Sequence, residues 1–467
     1  MKPIGVISHL ACLSSAAEQQ LAEHFGDEPL DVTLAADPAD LSAGSGSTLL
    51  LHVPSGSRPE PEVAAGLAAR SHGGDVGLLS DDAGVALVQA GAERFARLFA
   101  PRDEQADASA YAAGGDARDR WESGAGPALR QVYLGLTQRC NRSCSFCVSR
   151  TFDYDLLSLE EVERLANEMA AARVSTIALT GAGEAMTHPD FWAALDLLHA
   201  KLPEATFKMN TSGVALIRNA ERLLRYPVKN ITVSLNAGTQ ATYERFVGRG
   251  YDAVLRGIDA VAAERVRAAR SDLRLCLSVV LMSSTILEMP KVVDLAFRFG
   301  VEEVQGIYLM VNDGGLADES PWHRQAGSNR WLAATARRGA ALGIETSLPP
   351  RFGVGDSSAG TTQRTSLPTT QRQACVEAWS TTYIRPDGEV LPCPYFERSL
   401  GSIREAPLTE VWKGARYEEL RESLASRSYA DECSHCCGFN EGGTVEDYES
   451  HWLGTRKPLR GVALPMA

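Results

Sequence analysis

From Gln131 onward the chain alternates between two periodicities. QVYLGLT, VSTIALTG, TFKMNTSG, NITVSLN, LRLCLSVVLM and VEEVQGIYLMV are apolar runs of strand length. After them come SLEEVERLANEMAAA, PDFWAALDLLHAKL, AERLLRY, YDAVLRGIDAVAAERV, MPKVVDLAFRFG and NRWLAATARRGAALG, whose apolar positions recur at the period of an amphipathic helix. Ser158 and Glu161 form a capping-box pattern at the start of the first of these helices. Repeated strand–helix units predict an α/β fold with a parallel sheet and right-handed crossovers, a partial (β/α)6 TIM-like barrel over residues 128–350. In such a barrel the chemistry belongs at the C-terminal ends of the strands.

Residues 1–100 show a similar alternation on a smaller scale and predict a small N-terminal α/β domain. IGVISHLACL and STLLLHVP read as strands, SAAEQQLAEHF and AGVALVQAGAERFARLF as helices. The segment carries no G-x-G-x-x-G, no G-x4-G-K-[ST] and no D-x-H-x-x-G, so no chemistry is assigned to it. Residues 101–127 are polar and Gly/Ala-rich, a linker; residues 351–374 are rich in Ser, Thr, Gly and Gln, a second linker loop. Residues 375–467 form a small Cys-rich domain that opens on a hairpin signal, Asp387-Gly388.

Composition narrows the function classes. With 467 residues the chain calls for two or three domains, and 44% hydrophobic residues supply their cores. A net charge of -13, without a basic run longer than two residues, argues against non-specific nucleic-acid binding, which needs a basic surface. No apolar run reaches the roughly 18–20 residues of a membrane span. The opening MKPIGVISHLACL lacks the features of a cleaved leader and reads as a first strand, so a cytoplasmic protein is expected. Ten cysteines in such a protein point to metal or redox chemistry rather than to disulfides. Cys12 and Cys276 stand alone in apolar segments and read as buried, inert thiols.

RCNRSCSFCVSR, Arg139 to Arg150, places Cys140, Cys144 and Cys147 at C-x3-C-x2-C spacing just after the first barrel strand. Three thiolates suit a [4Fe–4S] cube with one iron left open to a small molecule. Zinc and a reactive or structural thiol set are the alternatives; zinc usually takes C-x2-C pairs and a fourth ligand, which this loop does not offer.

The motif, with Phe146 before its last cysteine, resembles that of the radical S-adenosylmethionine (SAM) superfamily, and the likeness covers about residues 130 to 315. TGAGEAMTHPDF follows the second strand as the family's glycine–glutamate motif does. The resemblance implies that Gly181 and Gly183 let backbone approach the methionine part of SAM and that Glu184 accepts a hydrogen bond from its ammonium. It also implies cofactor contacts for Asn210 at the end of the third strand and for Ser234 and Asn236 at the end of the fourth, many relatives carrying Asp at the last position. The implied chemistry is one-electron: a reduced cluster splits SAM, and the resulting 5′-deoxyadenosyl radical removes a hydrogen atom from a C–H bond. A flavodoxin- or ferredoxin-type donor supplies the electron in such a scheme.

The second cysteine set, Cys375 and Cys393 around the hairpin, then DECSHCCGF with Cys433, Cys436 and Cys437, resembles the twitch domain, a shortened SPASM extension of radical SAM enzymes. That implies an auxiliary [4Fe–4S] cluster on Cys375, Cys393, Cys433 and Cys436, with Cys437 spare or replacing Cys436; structural zinc is the alternative. A fully ligated cluster can accept an electron, which argues for net oxidation. The likeness extends to aminoglycoside and aminocyclitol antibiotic-biosynthesis enzymes, and so to a radical SAM dehydrogenase of a small polyhydroxylated aminosugar. A redox-neutral dehydratase or epimerase, a ribosomal-peptide maturase and a zinc scaffold are the alternative functions. Near the strand ends His188, Asn312, Asp313, Arg150 and Tyr154 are candidate acid, base or substrate groups; His188 and Asp313 are taken as the catalytic pair, histidine titrating near neutrality.

Overall fold

The computed structural model of the chain describes, with side chains, residues 127–147, 155–309, 311, 316–349, 351–352, 375, 377–394, 396, 398–426 and 433; in residues 1–100 it describes the backbone of five strands. These are β1 (Ile4–Ser8), β2 (Val32–Ala35), β3 (Thr48–Val53), β4 (Asp75–Ser80) and β5 (Val88–Gly91), in the order β2-β1-β3-β4-β5. β5 runs antiparallel to β4 and the other pairs are parallel. β5 corrects the sequence reading, which made Val88–Gly91 part of a helix. VALVQ is a short apolar run that fits either period, and pairing with β4 decides for strand. The helix expected over SAAEQQLAEHF lies outside the described residues.

The second sheet is the barrel. β6 (Gln131–Leu134), β7 (Thr176–Leu179), β8 (Thr206–Thr211), β9 (Val228–Ser234), β10 (Arg274–Leu281) and β11 (Glu303–Tyr308) are the six expected strands, parallel and in sequence order. A short seventh strand, β12 (Glu345–Ser347), extends the β11 edge in parallel. The helices between them are α1 (Leu159–Ala171), α2 (Phe191–Lys201), α3 (Leu216–Leu223), α4 (Gln240–Phe246), α5 (Tyr251–Arg267), α6 (Met289–Phe299) and α7 (Gln325–Leu342). α1 starts as its sequence dictates: Ser158 Oγ accepts from the Glu161 amide while the Glu161 carboxylate accepts from the Ser158 amide. Its buried stripe, Val162, Leu165, Ala166 and Met169, follows helical spacing and packs into the barrel core with strand residues such as Val132, Ile177, Phe207 and Ile231.

The expected hairpin is present: β13 (Thr381–Ile384) and β14 (Glu389–Leu391) pair antiparallel, with Gly388 at φ +85° closing the turn. The sequence did not disclose where it sits. β13 pairs in parallel with β6, register Tyr383 to Tyr133, so the C-terminal hairpin continues the barrel sheet. β15 (Gly401–Ser402), α8 (Leu408–Lys413) and α9 (Ala415–Ala425) follow. Contacts back to α1 fasten them: Arg404 donates to Glu161 (2.8 Å) and the Glu168 carboxylate accepts from the Leu408 amide (2.5 Å) at the start of α8. Among the described residues no helix is long and apolar enough to cross a membrane.

Candidate functional site

The cysteine loop leaves the C-terminal end of β6 and is tied down on three sides. Ser145 donates from both its amide and its Oγ to the Phe246 carbonyl at the end of α4 (2.8 and 3.2 Å). Arg142 donates to the Arg249 carbonyl (2.8 Å), and Asn141 accepts from Ser212 Oγ beyond β8 (2.9 Å). Phe146 is half-buried against Phe246, Met282, Leu309 and Val311, an apolar plug that seats the loop. Between Cys140–Ser143 and Val247–Arg249 lies a concavity of about 420 Å³.

Cys140 and Cys147 are exposed and Cys144 is half-buried. Burial pushes the Cys144 thiol up to about 12, and Cys147 and Cys140 push it further in the same direction. Cys140, though its side chain is exposed, is raised by the protein packed around its sulfur and also by Glu184 and Cys147. The three side chains thus share one neighbourhood, in which Cys140 and Cys144 are held as neutral thiols. Among the described residues no three Cys, His, Asp or Glu side chains close into a metal-ion geometry. The donor set nonetheless fits an iron–sulfur cluster: three sulfur donors on one loop, which a cationic cluster would hold as thiolates with release of their protons.

The glycine–glutamate loop packs backbone to backbone against the end of the first strand. A Cβ on Gly183 would lie 2.4 Å from the Thr137 carbonyl oxygen and 2.5 Å from that of Arg139, so only glycine fits. The Glu184 amide donates to the Arg139 carbonyl (2.9 Å), one residue before Cys140. Glu184 itself is buried, and its carboxylate accepts from Thr211 Oγ1 (2.9 Å) and the Ser212 amide (2.6 Å). Burial outweighs these donors and raises its ionisation above the usual carboxylate range. A carboxylate so placed gains from a cationic partner such as an ammonium group.

The other sequence candidates separate. Asn210 is exposed at the end of β8 and Ser234 half-buried at the end of β9. Asn236 adopts φ +60°, donates to the Ser234 carbonyl (3.2 Å) and accepts from the Val280 amide (3.0 Å). Its amide is engaged at both ends in shaping the β9 turn, a conformation asparagine tolerates well. His188 is corrected as a proton acceptor: it is buried, Nδ1 accepts from the Asp190 amide (3.0 Å), and Nε2 therefore carries the proton, which it donates to the Leu157 carbonyl (2.8 Å). No lone pair remains. Asp313 and Cys436, with Arg150, Tyr154, Asn312 and Cys437, lie outside the described residues.

Cys375, Cys393 and Cys433 are half-buried and pack on the hydrophobic core that the barrel and the C-terminal unit share. Tyr383 of β13 reaches from this unit into the glycine loop. A Cβ on Gly181 (φ +138°) would lie 2.6 Å from Tyr383 Oη. Burial pushes the Tyr383 phenol up to about 12. Sequence reading missed Tyr383, Thr211 and Ser212 as partners of this loop; NTSG marked a strand end but not the contact to Glu184.

Family comparison agrees with this geometry. Residues 134–284 match the radical SAM superfamily, and residues 375–437 match SPASM, an iron–sulfur cluster-binding domain. The chain carries a radical SAM domain and a SPASM domain. Together these imply [4Fe–4S] clusters and SAM as its cofactors. Curated relatives include GTP 3',8-cyclase 1 of Pseudomonas aeruginosa, 28% identical over 187 residues (39% of this chain, 55% of the relative), and GTP 3',8-cyclase of Acidothermus cellulolyticus, 34% identical over 147 residues (29% and 40%). The chain spans about half the length, or less, of these relatives. Among solved structures, Streptococcus suis SuiB bound to S-adenosylmethionine aligns with a TM-score of 0.49 at 13% identity, over 65% of this chain and 70% of that one. BtrN in complex with AdoMet and 2-DOIA aligns with a TM-score of 0.37 at 14% identity, over 67% and 94%.

Proposed function

We propose that this radical SAM protein is a dehydrogenase: it removes a hydrogen atom from a carbon of a small polyhydroxylated aminosugar or aminocyclitol, in antibiotic biosynthesis, and oxidises that substrate. The observation that carries the reading is the continuity of the two cysteine regions. β13, which leads through the hairpin to Cys393, is hydrogen-bonded to β6, which leads to Cys140. When bound, the first cluster and SAM supply the one-electron chemistry that breaks an unactivated C–H bond, and a fully ligated second cluster supplies an acceptor for one electron. A substrate radical beside a hydroxyl can then lose one proton and one electron to become a carbonyl.

The chain's own residues bind and orient. Cys140, Cys144 and Cys147 hold the first cluster. Glu184, kept in place by Thr211 and Ser212, receives the ammonium of SAM, and Gly183 lets the loop approach the strand end. Asn210 and Ser234 border the same rim. Cys375, Cys393, Cys433 and Cys436 hold the second cluster. Asp313 remains the candidate acid–base group.

The test incubates anaerobically reconstituted protein with SAM, a flavodoxin or dithionite as donor, and deuterium-labelled aminoglycoside intermediates, with GTP and a precursor-type peptide as comparators. Deuterium appearing in 5′-deoxyadenosine from an aminosugar, with one ketone formed per SAM consumed, supports the proposal. Transfer with loss of water instead of oxidation replaces dehydrogenation by dehydration. Uptake only from the peptide or from GTP overturns the substrate class.

A further inference from the structure

Beneath the cysteine loop lies a hydroxyl group with nothing to bond. Tyr243 belongs to α4, the helix whose end anchors Ser145, and its side chain is completely buried (0% exposed). Its hydroxyl has no hydrogen-bond partner. The large majority of buried side-chain polar atoms do have one, so such an orphan calls for an explanation. Its surroundings supply one: burial raises its phenol, and the titratable side chains near enough to act on it are those of Arg142, Cys144 and Cys140. Arg142 repeats the pattern. Its terminal nitrogen is fixed on the Arg249 carbonyl, yet its Nε–H is buried without a partner. Two unsatisfied donors thus belong to the neighbourhood of the same two thiols. A cube of iron and sulfide on Cys140 and Cys144 would bring sulfur acceptors to both.

We infer that Tyr243 Oη–H, with Arg142 Nε–H beside it, donates a hydrogen bond to a sulfur of the cluster held by Cys140, Cys144 and Cys147 and so sets its reduction potential. Tyr243 is a positioning and tuning residue, not a catalytic one. The inference rests on the radical SAM reading of the loop. A donor on sulfur stabilises the more negative, reduced cluster, so losing it makes reduction harder. The neighbouring Tyr251 provides the contrast. Its ring lies 5.4 Å from that of Tyr243, but the charges acting on it are Glu288 and Asp252, not the thiols.

The experiment compares wild type, Tyr243→Phe and Tyr251→Phe. Each full-length chain is reconstituted anaerobically in a background lacking Cys375 and Cys393, so that a single cluster is observed. The reduced cluster is titrated by electron paramagnetic resonance against applied potential, without substrate. Tyr243→Phe is expected to leave about threefold to tenfold less reduced cluster at a fixed potential, a negative shift of about 30–60 mV at 59 mV per decade for one electron. Tyr251→Phe is expected to titrate as wild type. Thermal unfolding of the cluster-free chains is the second measurement. There the hydroxyl is an orphan, so Tyr243→Phe should be at least as stable as wild type. An unchanged potential in a fully loaded Tyr243→Phe overturns the inference, and so does a cluster-free Tyr243→Phe that is less stable than wild type. A Tyr243→Phe chain that folds but holds the cluster less tightly supports it. If wild type itself binds no cluster, the radical SAM reading fails, an outcome distinct from either of the others.

Discussion

Glu184 shows how one side chain can be poor for the fold and good for the site. It sits buried between the end of β8 and the residue before Cys140, with two donors that do not fully offset its desolvation. A cationic ligand would complete it. Glu184→Gln should therefore leave the cluster-free chain as stable as wild type or more so at neutral pH, because a buried charge disappears. The same change should weaken SAM binding about tenfold to a hundredfold, the worth of a charge-assisted hydrogen bond of about 1.5–3 kcal/mol. Equilibrium binding of SAM to the reconstituted protein and thermal unfolding of the cluster-free chain measure the two effects. A variant that loses stability and affinity together would mean that Glu184 only braces β8. Much of this residue's role was legible, because G-x-G-E after a predicted strand is local in sequence. Its braces, Thr211 and Ser212, were not legible: they lie 27 and 28 residues away, and the sheet alone brings them in. His188 is the reverse case. A histidine near a strand end suggested proton transfer, and only the structure shows both ring nitrogens spent on backbone groups.

At the scale of elements, the C-terminal unit is fastened to the barrel by a strand pair and by charged contacts with α1. The βα alternation made the barrel legible, and Asp387-Gly388 made the hairpin legible, since each is a short-range pattern. The pairing of β13 with β6 spans some 250 residues of chain, for which neither strand carries a signal. The ion pair between Glu161 and Arg404 gives this junction a pH dependence. Burial works to raise the Glu161 pKa, but hydrogen bonds from Arg404 and Ser158 outweigh it and hold the carboxyl below its usual range. A lowered carboxylate contributes stability above its unfolded pKa, and that contribution is lost as pH falls through the folded value. Arg404 is 43% exposed, so the pair contributes only about 0.5–1 kcal/mol after solvent screening. Arg404→Ala should lower the unfolding free energy of the cluster-free chain by that amount at pH 7 and progressively less below about pH 4.5. Denaturant titrations across that range, with Arg404→Lys as the charge-retaining comparison, measure it. A deficit that does not shrink in acid would assign the role of Arg404 to packing instead.

For the whole molecule the question is why one sheet joins two cysteine regions. A second set that served folding alone would also gain from this join, since β13 covers the open edge of β6 and Tyr383 presses into the glycine loop. An electron acceptor must in addition be held at a fixed separation from the site it serves, and a shared sheet fixes that separation. The expectation follows in two steps. Wild type reconstituted under anaerobic conditions should bind about eight irons, and chains with either cysteine set replaced by alanine about four, as two four-iron clusters require. The chain lacking Cys375 and Cys393 should still bind SAM, because Glu184, Gly183 and the first three cysteines are untouched. It should also still transfer deuterium from substrate to 5′-deoxyadenosine, yet yield at least tenfold less oxidised product for each SAM consumed, since the substrate electron has lost its acceptor. Iron analysis and paired quantification of 5′-deoxyadenosine and ketone test both steps. Product formed at the wild-type ratio by a chain holding four irons would reduce the second set to a structural support and shift the reaction to redox-neutral chemistry.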